Sequence, residues 1–192
     1  MLWPCAEGAD AMIVPIAETC PGTDDLPVLA FVANPYGQAE ASGEDLNALW
    51  RDDPAAGAAR TSELANATKA AIANAKSAGV DGFVYALSGA EPGRCTPMQY
   101  GGQYLEVDRE ILSSIQDSFV VALIEGGEGA YLDFVTDLPA QVFVWDSAAT
   151  GFSVSEIRAL RPGALAAPDA DADILFSNSM ATLEPYLHEV VS

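Results

Sequence analysis

The chain has 192 residues, half of them apolar, and it carries 28 acidic against 8 basic residues for a net charge of −20. That length supports a real hydrophobic core, and the apolar content excludes intrinsic disorder. The charge argues against nucleic acid or an anionic membrane surface as partner, since both demand a positive face.

No apolar run approaches the roughly 20 residues of a spanning helix; the strongest is Phe119 to Ile124. The first residues, Met1 to Glu7, put no basic residue ahead of an apolar core and so do not read as a secretory signal. A cytoplasmic protein is expected. Only Lys69 and Lys76 are lysines, a composition that suits a salt-adapted or GC-rich source better than a dedicated acidic face. Cys5, Cys20 and Cys95 are odd in number and widely spaced, which fits neither a disulfide framework nor a metal knuckle.

In chain order, Leu26 to Ala33 reads as a strand, followed by a loop from Asn34 to Gly43. Ala58 to Ala78 is alanine-rich, free of proline and closed by Gly79, so it predicts a helix with a glycine stop. Val80 to Leu87 is almost continuously apolar, the pattern of a strand buried on both faces. Thr96-Pro97-Met98-Gln99 combines a cap, a first-turn proline and a capping box, and predicts a helix to about Ile115. A strand over Phe119 to Ile124, a short helix over Gly129 to Asp137 and a strand over Gln141 to Trp145 follow. Ser153 and Glu156 form a second capping box, opening a helix to about Leu160. Weak strands at Ala164 to Ala167 and Ile174 to Phe176, then a helix over Thr182 to Val191, complete the pattern.

Strands alternating with helices imply βαβ units and a parallel sheet in one domain over 1–192. A doubly wound sheet and a (β/α) barrel both satisfy that pattern. No GxGxxG or GxxxxGK[ST] is present, so nucleotide-binding versions of the doubly wound sheet lose their usual support.

Several segments resemble the uroporphyrinogen decarboxylase superfamily in order. Gly79-Val80-Asp81-Gly82-Phe83 is similar to the "GADGI" entry into a mid-barrel strand, which in that family ends in a serine-containing turn, here Ser88. Pro27 to Pro35 looks like the earlier strand with its proline loop, and Tyr100-Gly101-Gly102-Gln103-Tyr104 like the approach to the next helix. Val142 to Asp146 is similar to a strand ending in Trp or Asp, and Arg161 to Pro168 looks like a worn "GN-L-D-P" turn. The resemblance covers about residues 26 to 191 and implies a TIM-type barrel. At 192 residues that barrel is incomplete, with about six strand–helix units where the full fold takes roughly 250 residues. An incomplete barrel leaves sheet edges that need cover, for which self-association as a homo-oligomer, an unusual closure or a product trimmed relative to its relatives are the alternatives.

By that resemblance the activity is removal of carboxyl groups from tetrapyrrole acetate side chains without a cofactor. It is expected weak or lost, because residues 1 to 25 hold none of the arginines that grip substrate carboxylates. The alternatives are a corrinoid-linked methyltransferase relative and a non-catalytic binding or partner domain. Reactive groups in such barrels sit at the C-terminal ends of strands. Ser88 and Asp146 are therefore the candidate catalytic residues. Asn34, Tyr36, Arg94, Glu125 and Asn178 are candidates for binding a small-molecule, tetrapyrrole-like ligand. Ser88 has no histidine beside it in sequence, so a nucleophilic role is unsupported. The methyltransferase branch carries a zinc-binding His-x-Cys pair where this chain reads Leu123-Ile124-Glu125-Gly126-Gly127, and the only histidine, His188, lies on the last helix. No metal is expected.

Overall fold

A computed structural model describes residues 11–18 and 26–161, together with the backbone of 165–169. Among the described residues six strands form one sheet: β1 (Met12–Pro15), β2 (Val28–Ala33), β3 (Gly82–Leu87), β4 (Phe119–Ile124), β5 (Val142–Asp146) and β6 (Leu165–Asp169). Their spatial order is their chain order, and every pairing is parallel. A doubly wound sheet reverses direction after its first strands; this one never does. With crossovers of one hand, each unit steps the same way round, which is the pattern of a partial TIM-type barrel. β1 lies in the front segment for which no strand was expected, pairing Met12 with Val28 through Pro15 with Phe31.

β3 is central, and all six of its residues are buried. Its first residue has to be glycine. A Cβ on Gly82 would stand 2.5 Å from the Phe119 carbonyl oxygen and 2.9 Å from Leu29, so the neighbouring strands close only around a bare backbone. Asp81, just before it, accepts from the Val28 amide at 2.7 Å and donates its own amide to the Val28 carbonyl at 2.8 Å. The residues that carried the family resemblance thus tie β2, β3 and β4 together at their starts.

The loop expected over Asn34 to Gly43 is instead a short helix, α1 (Pro35–Ala41), and a second, α2 (Leu46–Asp52), follows it. Both are capped locally: Asn34 accepts from the Gly37 amide and Asp45 from the Ala48 amide. α3 (Pro54–Ala78) starts earlier than its alanine-rich stretch because Asp53 caps it and Pro54 takes the first position. It ends at Gly79, which adopts the left-handed conformation, as the glycine stop predicts. Its buried stripe runs Gly57, Thr61, Ala65, Thr68, Ile72 and Ala75, at steps of three and four.

The Thr96–Gln99 capping box forms, with bonds of 3.2 and 2.8 Å, but its helix is broken at Tyr104 into α4 (Pro97–Gln103) and α5 (Leu105–Ser113). The short helix expected over Gly129 to Asp137 contracts to α6 (Leu132–Val135). A one-turn α7 (Ser147–Thr150) follows β5 directly, and the Ser153–Glu156 box opens α8 (Val154–Leu160). The strand and helix expected over 174–176 and 182–191 lie outside the described residues. Among the described residues no helix is long and apolar enough to cross a membrane.

Candidate functional site at the strand tips

Parallel strands in chain order bring their carboxyl ends to one side of the sheet, so the residues that follow β2, β3 and β4 meet there. Asn34 follows β2, Ser88 follows β3 and Glu125 follows β4. Asn34 is fully buried and joins the first two tips. Its side-chain nitrogen donates to the Ser88 carbonyl at 3.0 Å. Its oxygen accepts from the amides of Gly37 at 2.9 Å and Ser88 at 3.3 Å. The Ser88 hydroxyl donates to the Glu125 carboxylate, joining the second tip to the third.

Arg94, in the loop after β3, closes the group. Its guanidinium lies 3.2 Å from Glu40, 3.2 Å from Glu91 and 4.0 Å from Glu125, and one terminal nitrogen is buried without a hydrogen-bond partner. Glu91 in turn accepts from the Gly127 amide at 2.9 Å, pinning the glycine-rich turn after β4. The single cation is thus shared by three carboxylates.

A cavity of about 500 Å³ opens beside this group, lined by Tyr36, Glu40, Glu44, Asp45, Asn47, Arg94 and neighbouring backbone. That volume suits a small molecule. Tyr36 is held against Gly89, whose φ of +95° and close approach (2.9 Å from a Cβ to the ring) exclude a side chain there. Burial, reinforced by nearby Cys95 and Glu40, pushes the Tyr36 phenol up to about 12, so it is a neutral donor at physiological pH. Asn47 gathers the floor: it accepts from the Tyr104 hydroxyl at 2.9 Å and donates to the Arg94 carbonyl at 2.9 Å. Cys95 is buried beside it, and burial raises its thiol, which disfavours a reactive thiolate.

Of the residues chosen from sequence, Asn34, Ser88, Arg94 and Glu125 form one connected group, and Tyr36 and Arg94 line the cavity. Asp146 stands apart. Its carboxylate accepts from the Ala149 amide at 2.7 Å and caps α7. Trp145, before it, is buried with its ring nitrogen on the Phe152 carbonyl, and β4 lies between its strand and β3. Asn178 lies outside the described residues.

One member escaped the sequence reading. Asp108 on α5 is almost fully buried, and its carboxylate accepts from the Tyr85 hydroxyl at 2.8 Å, the Tyr100 hydroxyl at 2.9 Å and Asn34 at 3.1 Å. Burial is the dominant influence and pushes its carboxyl up to about 6, against the opposing pull of those three donors. The sequence held a signal: Asp108 falls on the apolar stripe of its helix, four residues from Tyr104 and three from Ile111.

The zinc of the methyltransferase branch does not fit these residues. Among the described residues no group of three or more His, Cys, Asp or Glu side chains could hold a metal ion, and the tip of β4 offers Glu125 alone, engaged by Ser88.

No protein-family model matches the sequence, and no curated protein matches it. Among solved structures, a methyltransferase from Methanosarcina mazei superposes with a TM-score of 0.65 at 16% identity. The likeness is one of fold. It covers 76% of this chain and 43% of that one, so the chain spans less than half the length of the methyltransferase it matches.

Proposed function

We propose that the chain is a methyltransferase-related barrel domain that binds a small molecule at the tips of β2 to β4, and that tetrapyrrole decarboxylation is not its activity. The observation that carries this reading is the state of Arg94. Decarboxylating an acetate on a pyrrole requires cations that hold the substrate's several carboxylates and a proton donor at the ring. Arg94 is the only basic residue lining the cavity, and it is already engaged by Glu40 and Glu91 and faces Glu125. An acidic rim on a chain of charge −20 repels a polycarboxylate.

The methyltransferase alternative is supported by the fold likeness. No zinc site fits among the described residues, and what those residues themselves do is bind and orient. Glu125 is partly exposed at 42% and accepts hydrogen bonds, Tyr36 donates, and buried Ser88 holds Glu125 in place. These groups, beside a cavity lined by Glu40, Glu44 and Asp45, suit a neutral or cationic ligand. A corrinoid is compatible with them where a uroporphyrin is not, because the corrin periphery carries neutral amides in place of carboxylates. The cavity is small for a whole macrocycle, so a corrinoid would rest on its rim.

The test is a pair of absorbance titrations, with hydroxocobalamin and with uroporphyrin, alongside anaerobic incubation with uroporphyrinogen. Saturable binding of cobalamin and none of the porphyrin is expected. Chromatographic detection of decarboxylated porphyrinogens, or preferential binding of the octacarboxylate, overturns the reading.

A further inference from the structure

We infer that Asp108 is a positioning residue for the strand-tip site: through Asn34 its carboxylate sets the orientation of the segment that presents Ser88 to Glu125.

Asn34 bridges the tips of β2 and β3 through side-chain hydrogen bonds, and its amide has two orientations of nearly equal shape. Only one lets its nitrogen face two acceptors, the Asp108 carboxylate and the Ser88 carbonyl, while its oxygen faces two amide donors, Gly37 and Ser88. The reverse orientation sets nitrogen against both amides and oxygen against both acceptors. Without side-chain acceptor capacity at Asp108, half of that preference is gone. Ser88 is gripped at its amide and its carbonyl by this one amide group, and its hydroxyl carries the effect onward to Glu125.

Asp108 also has the surroundings of a group that changes state. Tyr85 from β3 and Tyr100 from α4 are the titratable side chains bonded to it, and burial raises both phenols well above their ordinary value, so both are neutral donors. The charged groups on its own helix are engaged elsewhere: Arg109 with Glu106, and Glu110 with Lys69 of α3. Arg94 pairs with Glu40 and stands 4.0 Å from Glu125, and none of the three is hydrogen-bonded to Asp108. Among the described residues no charged group bonds to the carboxylate. When Asp108 takes a proton, one of its oxygens becomes a donor; a tyrosine hydroxyl can reverse to accept it, whereas the Asn34 nitrogen can only donate and now faces a neutral, weaker acceptor. The Asn34 bond, at 3.1 Å, is the longest of the three.

The inference rests on the proposed function only in taking the Ser88–Glu125 pair as the ligand-facing one, and its test uses no ligand, so either can fail alone. In the free protein, the Asn34 side-chain amide and the backbone amides of Gly37 and Ser88 are followed by nitrogen–proton NMR from pH 5 to 8. All three are expected to move on one shared curve with its midpoint at about 6. In D108N the curve disappears while the fold persists. Should D108N fail to fold, Y100F removes one donor that favours the ionised form and moves the midpoint upward by on the order of one pH unit. A purely structural Asp108 would leave the Ser88 amide flat across this range. A flat Ser88 amide, the same curve in D108N, or an unmoved midpoint in Y100F overturns the inference.

Discussion

A carboxylate stands at the carboxyl end of both β4 and β5, Glu125 just after the first and Asp146 as the last residue of the second, and the two groups meet different fates. Glu125 reaches across to Ser88 and stands near Arg94. Asp146 turns down onto the helix that follows it and caps the Ala149 amide. The residues behind them account for the difference. Glu125 is followed by Gly126-Gly127, which leaves no helix start within its reach and frees the side chain to point at its neighbours. Asp146 runs straight into α7, whose unsatisfied first-turn amides capture it. A strand-end acid becomes part of a site only when its own chain has no use for it.

The largest effect expected from testing this contrast lies at Asn34, which serves both purposes at once, capping α1 and joining two tips. Asn34→Ala strips the buried Ser88 and Gly37 amides and Asp108 of partners, and urea denaturation is expected to show a loss of roughly 3 kcal/mol or more. Next comes pH. The carboxyl of Asp108 is raised from 3.8 to about 6 on folding. Above pH 6 both states are ionised and the burial cost is felt in full. Between the two values the folded state holds a proton that the unfolded state lacks, and below 3.8 both are protonated. Stability attributable to this group therefore rises as pH falls through that window, by on the order of 3 kcal/mol. The stability of the native chain relative to D108N is expected to rise by about that amount between pH 7 and pH 4.

Smaller effects separate the two strand-end acids themselves. Asp146→Ala is expected to cost about 1 kcal/mol, the worth of a helix cap, with cobalamin binding unchanged. Glu125→Gln is expected to move stability by about 0.5 kcal/mol or less, since the group is partly exposed, yet to weaken ligand binding in the same titration. The reverse pattern, with Asp146 affecting binding and Glu125 affecting only stability, would break the contrast.

What could be read directly from the residues was whatever is decided within a few positions of chain. The two capping boxes, the Gly79 stop and the continuous burial of β3 all have causes next to them in sequence, and all are present. The short helices α1 and α2 were missed because each is a single seven-residue element whose support comes from side-chain caps and from packing on α3, including Trp50 against Gly57. β1 was missed for a similar reason: four residues acquire strand character by pairing with β2. At the site, strand-end position was sufficient to nominate Asn34, Ser88 and Glu125, but it nominated Asp146 equally.

The sequence by itself determined the alternation of strands and helices, the two capping boxes and the glycine stop at Gly79, because each follows from backbone chemistry over short spans. Tertiary structure alone decided the direction in which the strands accumulate, which carboxylates share Arg94, and the burial of Asp108 beneath Asn34. Those outcomes turn on distant groups being brought within hydrogen-bonding distance, as Ser88 is to Glu125 across 37 residues and Asn34 to Asp108 across 74. Hydrogen bonds and ion pairs act over a few ångströms, so a carboxylate's partners are set by which strands and helices lie side by side.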